Sequence, residues 1–314
     1  MTTKSSARKP RLPQRKRATP QELPTFRLTK RDEEILRAIY LYRALTTKQI
    51  SDLLFVPPDM TENRLPSSRC IHRLKLLYHH GFLARHEQPQ TLAEGRKPFL
   101  YQLDRRGAEF LGQREDGGLN ALDWQPNEIF SPLFLEHLIA SNDVRVAITR
   151  AASRHGFTIE KWLDERTLKQ VQNKDTVVLT NEAGKKQNAA VVPDGYFHLK
   201  TGEHHYHQFI EIDRSSVTGS SKNWTRRTWA RKILAFIEYY RSGKYHARYH
   251  TKSMRILTVT TGQKRLENLL AITEEVGGKA RFWFTTFERI LHADILVDPI
   301  WNVAGADSLR SLTW

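Results

Sequence analysis

The strongest constraint on the fold is the order of apolar periodicities between residues 28 and 111. Three segments repeat apolar residues every three or four positions, two short extended segments follow, and a helical segment closes the series. Thr29 stands three residues before Asp32 and is the expected N-cap of the first helix. We predict helices from Leu28 to the break near Ala44, Thr46 to Phe55, Pro66 to Gly81 and Asp104 to Leu111, with strands at Phe82 to His86 and Pro98 to Leu103. This is the element order of a winged helix-turn-helix.

The third helix carries the residues that a reader of the DNA major groove needs. Its expected buried stripe comprises Cys70, Ile71, Leu74, Leu77 and Tyr78. Arginine pairs with guanine edges and short hydroxyls contact several bases, and such residues occupy the opposite side of the helix and the turn between the strands. The predicted DNA-binding residues are Arg64, Ser67, Ser68, Arg69, Arg73, Lys75, Arg96 and Lys97. Double-stranded DNA is therefore the expected partner.

The net charge favours the same class of partner. The formal charge is +16, and residues 1–30 hold nine basic residues against one acidic residue. The first 25 or so residues contain four prolines and few apolar residues, so this segment cannot bury enough surface to offset the entropy lost on ordering. We interpret residues 1–27 as a disordered basic arm, which either contacts DNA phosphates or serves as a solubilising tail.

Cysteine content and hydropathy exclude several protein classes. Cys70 is the single cysteine, which rules out an intramolecular disulfide and a four-cysteine zinc site. No apolar run approaches the roughly 18 residues of a transmembrane helix. We expect a cytoplasmic bacterial protein, associated with the nucleoid or a plasmid and not with a membrane.

A second domain follows a polar linker. The predicted order is residues 1–27 arm, 28–112 DNA-binding domain, 113–128 linker and 129–314 second domain. In the second domain we predict helices at 132–155, 224–241 and 263–276, and strands at 158–163, 191–199, 206–213, 256–260 and 281–285. This alternation indicates an α/β sandwich with a mixed sheet. The fold class is therefore α+β with two domains.

The second domain contains one group of acidic residues that could bind a cation or take part in catalysis. Asp194 follows Pro193, and the strand around Phe209 places Glu211 and Asp213 on one face. Adjacent carboxylates repel unless a cation lies between them, either a divalent metal or a basic side chain. The alternative is a solvent-exposed edge strand whose acids pair with Arg226 or Arg231.

Pro193-Asp194 followed by Glu211-x-Asp213 resembles the PD-(D/E)xK nuclease superfamily. That resemblance implies a restriction-nuclease-like domain in which Asp194 and Glu211 bind Mg²⁺ and a lysine orients the attacking water. Asp213 occupies the position of the usual lysine, and Lys232 on the next helix is nominated instead. Glu136 matches the acid that many members contribute from the first helix as a metal ligand. The predicted catalytic residues are Asp194, Glu211, Asp213 and Lys232.

The chain from about Leu28 to Trp301 also resembles the replication-relaxation family of bacterial plasmids and mobile elements. The matching residues are Leu28-Thr29-x-Arg31-Asp32, Thr47-x-Gln49-Ile50, Leu100 to Leu103 with Gly107, His137 with Asn142-Asp143, Val192-Pro193-Asp194-Gly195, Glu211-Ile212-Asp213-Arg214, and Lys232 ahead of Tyr239-Tyr240. The resemblance implies a role in plasmid replication or in relaxing plasmid DNA.

Two other functions remain open. His205 and His207 lie on one strand face and, with Tyr239 or Tyr240 as nucleophile, could form a His-x-His relaxase. Alternatively the protein is a non-enzymatic replication initiator or transcriptional regulator with a vestigial nuclease fold. Its second domain would then serve as a homodimer interface or dock to replication proteins.

Overall fold

The chain has a mixed α+β fold. The computed structural model describes residues 16–60, 65–88, 97–114, 122, 124–125, 131–181, 183–215 and 228–313. Two compact units are present: unit 1 comprises Met1–Pro57 and Arg64–Asn142, and unit 2 comprises Pro58–Asn63 and Asp143–Trp314. Within the described ranges, no helix is both long and apolar enough to cross a membrane.

Unit 1 contains the predicted succession of helices and strands, with one short strand added. Its elements are α1 (Lys30–Tyr42), β1 (Leu45–Thr46), α2 (Thr47–Leu54), α3 (Ser68–His79), β2 (Leu83–His86), β3 (Leu100–Leu103) and α4 (Arg105–Gly112). The strands form an antiparallel sheet in the order β1-β3-β2. The predicted turn residues between β2 and β3 lie largely outside the described residues, and so does much of the predicted linker 113–128.

Side-chain caps define the starts of the first two helices. The Thr29 hydroxyl accepts a hydrogen bond from the Asp32 amide, and an Asp32 carboxylate oxygen accepts one from the Thr29 amide at 2.7 Å. Thr46 and Gln49 make the same reciprocal pair at the start of α2. The prediction that Thr29 is an N-cap is confirmed, because this geometry satisfies amides that have no partner inside the helix.

The core of unit 1 is built from the apolar stripes of its helices. Cys70, Leu74 and Leu77 on α3 are fully buried. Ile71 was predicted to belong to this stripe, but it is 49% exposed. An α-helix turns about 100° per residue, so Ile71 lies to one side of a stripe defined by positions i, i+4 and i+7.

Unit 2 holds the larger sheet. Its elements are α5 (Pro132–Arg154, which begins within unit 1), β4 (Thr158–Asp164), α6 (Glu165–Lys169), β5 (Asp175–Thr180), β6 (Lys186–Val191), β7 (Gly195–Thr201), β8 (His204–Asp213), α7 (Trp229–Arg241), α8 (Lys244–Tyr249), β9 (Arg255–Thr260), α9 (Gln263–Glu275), β10 (Phe282–Thr286), α10 (Phe287–His292) and β11 (Asn302–Val303). The sequence prediction placed all of α5 in the second domain. Its residue Leu135 instead packs with Ala44 and Leu100 of unit 1.

Six of the described strands of unit 2 form a mixed sheet in the order β11-β10-β9-β8-β7-β4, and β5 and β6 form a separate two-stranded sheet. β8, β9 and β10 run parallel, whereas β4, β7 and β8 are joined by antiparallel pairing. The predicted mixed sheet is therefore confirmed. β8 is an interior strand, with β7 on one side and β9 on the other.

The sequence prediction missed the β5–β6 hairpin and misplaced the strand at 191–199. β6 ends at Val191 and β7 begins at Gly195, so the predicted strand joins parts of two elements. The hairpin buries Val177, Leu179 and Ala189 on one face while alternate positions stay exposed. A short alternation of apolar and polar residues is only a weak sequence signal for a strand, because strand propensity depends on packing against another element.

Helices α7 and α9 pack on the sheet of unit 2. Trp229, Ile233 and Phe236 of α7 share one buried cluster with Phe209 of β8 and Phe284 of β10. The Trp229 indole also donates a hydrogen bond to Thr273 of α9 at 2.9 Å. This packing holds the first turn of α7 over the end of β8.

Candidate functional site

Asp194, Glu211 and Lys232 converge at the end of strand β8. Asp194 immediately precedes β7, and its amide donates to the Ile210 carbonyl at 3.0 Å. One Asp194 carboxylate oxygen accepts from the Ile212 amide at 2.7 Å. These two hydrogen bonds, one from the Asp194 backbone and one to its carboxylate, anchor Asp194 across from residues 210–212 and thus beside Glu211.

Lys232 reaches this pair from the first turn of α7. The Thr228 hydroxyl caps that helix by accepting from the Arg231 amide at 3.2 Å. The Lys232 ammonium forms an ion pair with Oε2 of Glu211. Lys232, which we nominated on the following helix in place of a lysine on the strand, is therefore in direct contact with Glu211.

Burial and neighbouring charges determine the protonation of Glu211 and Lys232. Glu211 is only 1% exposed, and burial, reinforced by Asp194 and only partly offset by Lys232, raises the pKa of Glu211 to about 8. Burial alone would lower the pKa of Lys232, but Glu211 and Asp194 raise it on balance. Burial of Glu211 beside Asp194 therefore favours either a retained proton on Glu211 or a cation bound to it.

One oxygen of Glu211 is well suited to such a cation. Oε1 of Glu211 is buried and has no hydrogen-bond partner among the residues that the structure describes. An unsatisfied buried acceptor is costly. Carboxylate oxygens are the ligands that Mg²⁺ prefers, so Asp194 and Glu211 fit an ion of this class. Glu136, the third predicted metal ligand, is exposed on α5 and belongs to unit 1, and its role stays a prediction.

Asp213 is engaged differently from Glu211. Arg265, on the first turn of α9, donates to both of its carboxylate oxygens at 2.8 and 2.9 Å. The Thr260 hydroxyl donates at 2.7 Å. Burial raises the pKa of Asp213, but the hydrogen bonds from Arg265 and Thr260 outweigh it and lower the pKa overall. Asp213 is thus neutralised by the protein itself.

The edge-strand alternative for Glu211 and Asp213 is wrong. β8 is an interior strand, both carboxylates are buried, and their cations are Lys232 and Arg265. Of the two arginines proposed for that role, Arg226 lies outside the described residues and Arg231 donates to the Asn188 carbonyl at 3.3 Å.

Sequence reasoning missed Arg265. The position of Arg265 follows from the sheet, because β8 and β9 are parallel neighbours and their ends meet at one edge. Arg265 is on the first turn of α9, which follows β9 and lies near the end of β8. That relationship depends on strand order, which the sequence pattern does not specify.

The predicted DNA-binding residues on and around α3 and in the turn between β2 and β3 differ in solvent exposure. Ser68 and Arg69 are exposed, whereas Ser67, Lys75 and Lys97 are partly buried. The Ser67 amide donates to the Ser51 hydroxyl at 2.9 Å. Two further predicted residues, Arg64 and Arg96, lie outside the described residues.

Arg73 serves to hold α3 against α1. Its guanidinium pairs with both carboxylate oxygens of the fully buried Asp32, with Nε 2.8 Å from Oδ1. It also donates to the Arg27 carbonyl at 3.3 Å and packs 5.0 Å from the Phe26 ring centre. The sequence analysis predicted Arg73 as a DNA-binding residue, but its guanidinium pairs instead with Asp32, which is buried and requires a cation.

Both tyrosines proposed as the relaxase nucleophile make contacts with other residues of the protein. Tyr239 is 2% exposed and its hydroxyl donates to Asp175, which is itself paired with Arg248. Burial, followed by the hydrogen bond to Asp175, raises the pKa of Tyr239 well above its usual range. Tyr240 packs against Arg281, whose guanidinium lies 3.7 Å from the ring centre. Activation of Tyr239 as a nucleophile would require breaking these contacts.

A family model described as replication-relaxation matches residues 36–254. The chain belongs to the replication-relaxation family. The sequence-based resemblance is confirmed by this match, which includes Asp194, Glu211 and Lys232 but ends before Arg265.

Comparison with solved structures gives matches to restriction endonuclease FokI. For FokI bound to DNA the identity is 14% and the TM-score 0.25, covering 86% of this chain and 46% of that chain. For another FokI structure the values are 12%, 0.26, 83% and 42%. The chain thus spans less than half the length of the FokI chains it matches. No curated protein matches the sequence.

Proposed function

We propose that this replication-relaxation protein binds duplex DNA through unit 1 and nicks plasmid or mobile-element DNA in unit 2. The observation that carries the proposal is the contact of Lys232 with Glu211 beside Asp194. This is the acid, acid and lysine set of the PD-(D/E)xK pattern, with the lysine supplied by a helix.

For unit 1, the proposed role is that of a winged helix-turn-helix with α3 as the recognition helix. The order α1, α2, α3 and hairpin supports it, and α3 exposes Ser68, Arg69 and His72 on one side. Arginine and hydroxyl side chains can contact base edges in the major groove. The net charge of +16 adds attraction to the phosphate backbone.

In unit 2, Asp194 and Glu211 would hold Mg²⁺, which supplies charge neutralisation at the phosphate and a more acidic water when bound. The Ile212 amide orients Asp194. Lys232 partly offsets the effect of burial on the pKa of Glu211, and it would add positive charge where negative charge develops on the phosphate. Asp213 is left out of the metal set, because Arg265 and Thr260 occupy its oxygens.

The test is incubation of supercoiled plasmid with the protein and Mg²⁺ or Mn²⁺. We expect nicked product from the wild type and its loss in Asp194→Ala and in Glu211→Gln. Glu275→Gln, which changes an exposed acid of α9, is the matched control and should nick normally. Equal nicking by all four proteins would overturn the assignment, and a tyrosine-linked DNA adduct would establish the relaxase instead.

A second candidate is a non-enzymatic initiator or regulator with a vestigial nuclease fold. The observation that favours it is that Lys232 and Arg265 already pair with Glu211 and Asp213. Unit 2 would then act in dimerisation or in docking to replication proteins. Binding of plasmid DNA by a wild type that forms neither nicked product nor adduct would decide for this candidate.

A further inference from the structure

A cluster of histidines lies at the opposite end of β8 from Glu211. Glu160 on β4, His198 on β7 and His205 on β8 each offer a ligand atom within 4.8 Å of the others. Glu211 lies six positions after His205 along the strand, a distance of about 20 Å at the usual rise per residue. The cluster is therefore separate from the carboxylate site.

Strand register brings these three side chains together. His198 is opposite His207 in the antiparallel β7–β8 pair, so His205 is its diagonal neighbour on the same face. The register between β4 and β7 shifts between Ile159 and Lys161. A bulge of this kind places two residues opposite one, and it brings Glu160 beside His198.

The ligand atoms of these three side chains lie close enough together to bind one cation. Nε2 of His198 is 2.7 Å from Nδ1 of His205, and one ligand atom from each of the three residues lies within 4.8 Å of the other two. Two imidazole nitrogens on a tetrahedral Zn²⁺, each about 2.05 Å from the metal, lie about 3.3 Å apart. Metal binding would widen the histidine contact by about 0.6 Å, which a small side-chain rotation of the exposed His205 supplies.

We propose that Glu160, His198 and His205 form a binding site for a transition metal of the Zn²⁺ class. Two imidazoles and one carboxylate are a ligand set typical of Zn²⁺ and unlike the all-oxygen set that Mg²⁺ prefers. A metal held there links the edge strand β4 to the β7–β8 hairpin.

His207 has a supporting position in this site. Its ring stacks on His198 with centres 4.2 Å apart, and its Nδ1 is 2.7 Å from the Tyr196 hydroxyl. This arrangement differs from the His-x-His relaxase pair, in which His205 and His207 would both be ligands.

The experiment measures Zn²⁺ binding to the full-length, tag-free protein by calorimetry, with Co²⁺ absorption to report coordination geometry. We expect Zn²⁺ to bind and to raise the midpoint of thermal unfolding through preferential binding to the folded state. His205→Gln and Glu160→Gln should each weaken Zn²⁺ binding by more than about tenfold. Both substitutions are at exposed positions, so the variants are expected to fold.

His204→Gln is the matched control, since His204 is exposed on the same strand and outside the cluster. It should bind Zn²⁺ as the wild type does. Equal loss in His204→Gln and His205→Gln, or a wild type whose unfolding midpoint does not respond to Zn²⁺, would overturn the site. Asp194→Ala should keep Zn²⁺ binding intact, which separates this result from the fate of the proposed nuclease.

Discussion

Lys232 of α7 forms an ion pair with Glu211, a carboxylate that is 1% exposed within the interior strand β8. Removal of one partner from such a pair leaves a buried charge without compensation. We expect Lys232→Met to lower the free energy of unfolding by about 3 kcal/mol at pH 8. Lys264→Met, at an exposed position of α9, is the control and should change it by less than about 0.5 kcal/mol. Urea titration provides the measurement, and equal stability of the two variants would contradict the ion pair.

The pKa of Glu211 gives the pH dependence of stability a definite sign. This pKa is raised from 4.5 to about 8 in the folded state, so between these values the folded protein binds more protons than the unfolded chain. The contribution of Glu211 to stability therefore falls as pH rises from 4.5 to 8, with a slope of at most about 1.4 kcal/mol per pH unit. Glu211→Gln should remove that slope. A constant stability difference between wild type and variant from pH 5 to 8 would refute the raised pKa.

Asp213 is expected to act in stability and not in catalysis, because Arg265 and Thr260 occupy its oxygens. Its pKa is lowered, so its contribution is present above pH 3.8 and is lost as pH falls below that value. Asp213→Asn should lower the unfolding midpoint yet change Mg²⁺-dependent nicking by less than about tenfold. Asp194→Ala, assayed in parallel at a temperature where both variants are folded, should abolish nicking. Loss of nicking in both would place Asp213 in the catalytic set.

Arg69 and Arg73, four residues apart on α3, should behave differently on substitution. Arg69 is exposed, and Arg69→Ala should weaken binding to a specific duplex by about 1–3 kcal/mol without affecting stability. Arg73→Ala leaves the buried Asp32 without its cation and should destabilise unit 1 by about 3 kcal/mol. Fluorescence anisotropy and thermal unfolding measure the two effects.

The exposed Arg105 on α4 is the control for simple loss of charge. Arg105→Ala should reduce duplex affinity less than Arg69→Ala does. If the two variants lose the same affinity, α3 is not the recognition helix and the contribution of Arg69 is non-specific attraction to phosphates.

Much of the fold follows from local pattern. Thr29 before Asp32 determines where α1 begins, because an N-cap is a contact between residues three apart. The spacing of Cys70, Leu74 and Leu77 specifies the buried face of α3 for the same reason. Such features depend on interactions within one or two helical turns, and the sequence contains all of them.

The partners of the acids depend on tertiary structure. The sequence by itself predicted that Asp194, Glu211 and Lys232 belong to one motif, since their order and spacing resemble a known pattern. Only the parallel pairing of β8 with β9 decided that Arg265 reaches Asp213, and only the antiparallel register of β4, β7 and β8 brought Glu160 to His198 and His205. Strand order and register arise from burial of whole faces against α7 and α9. A charge pair or a ligand set that joins distant segments is therefore decided by packing and cannot be read from the local sequence.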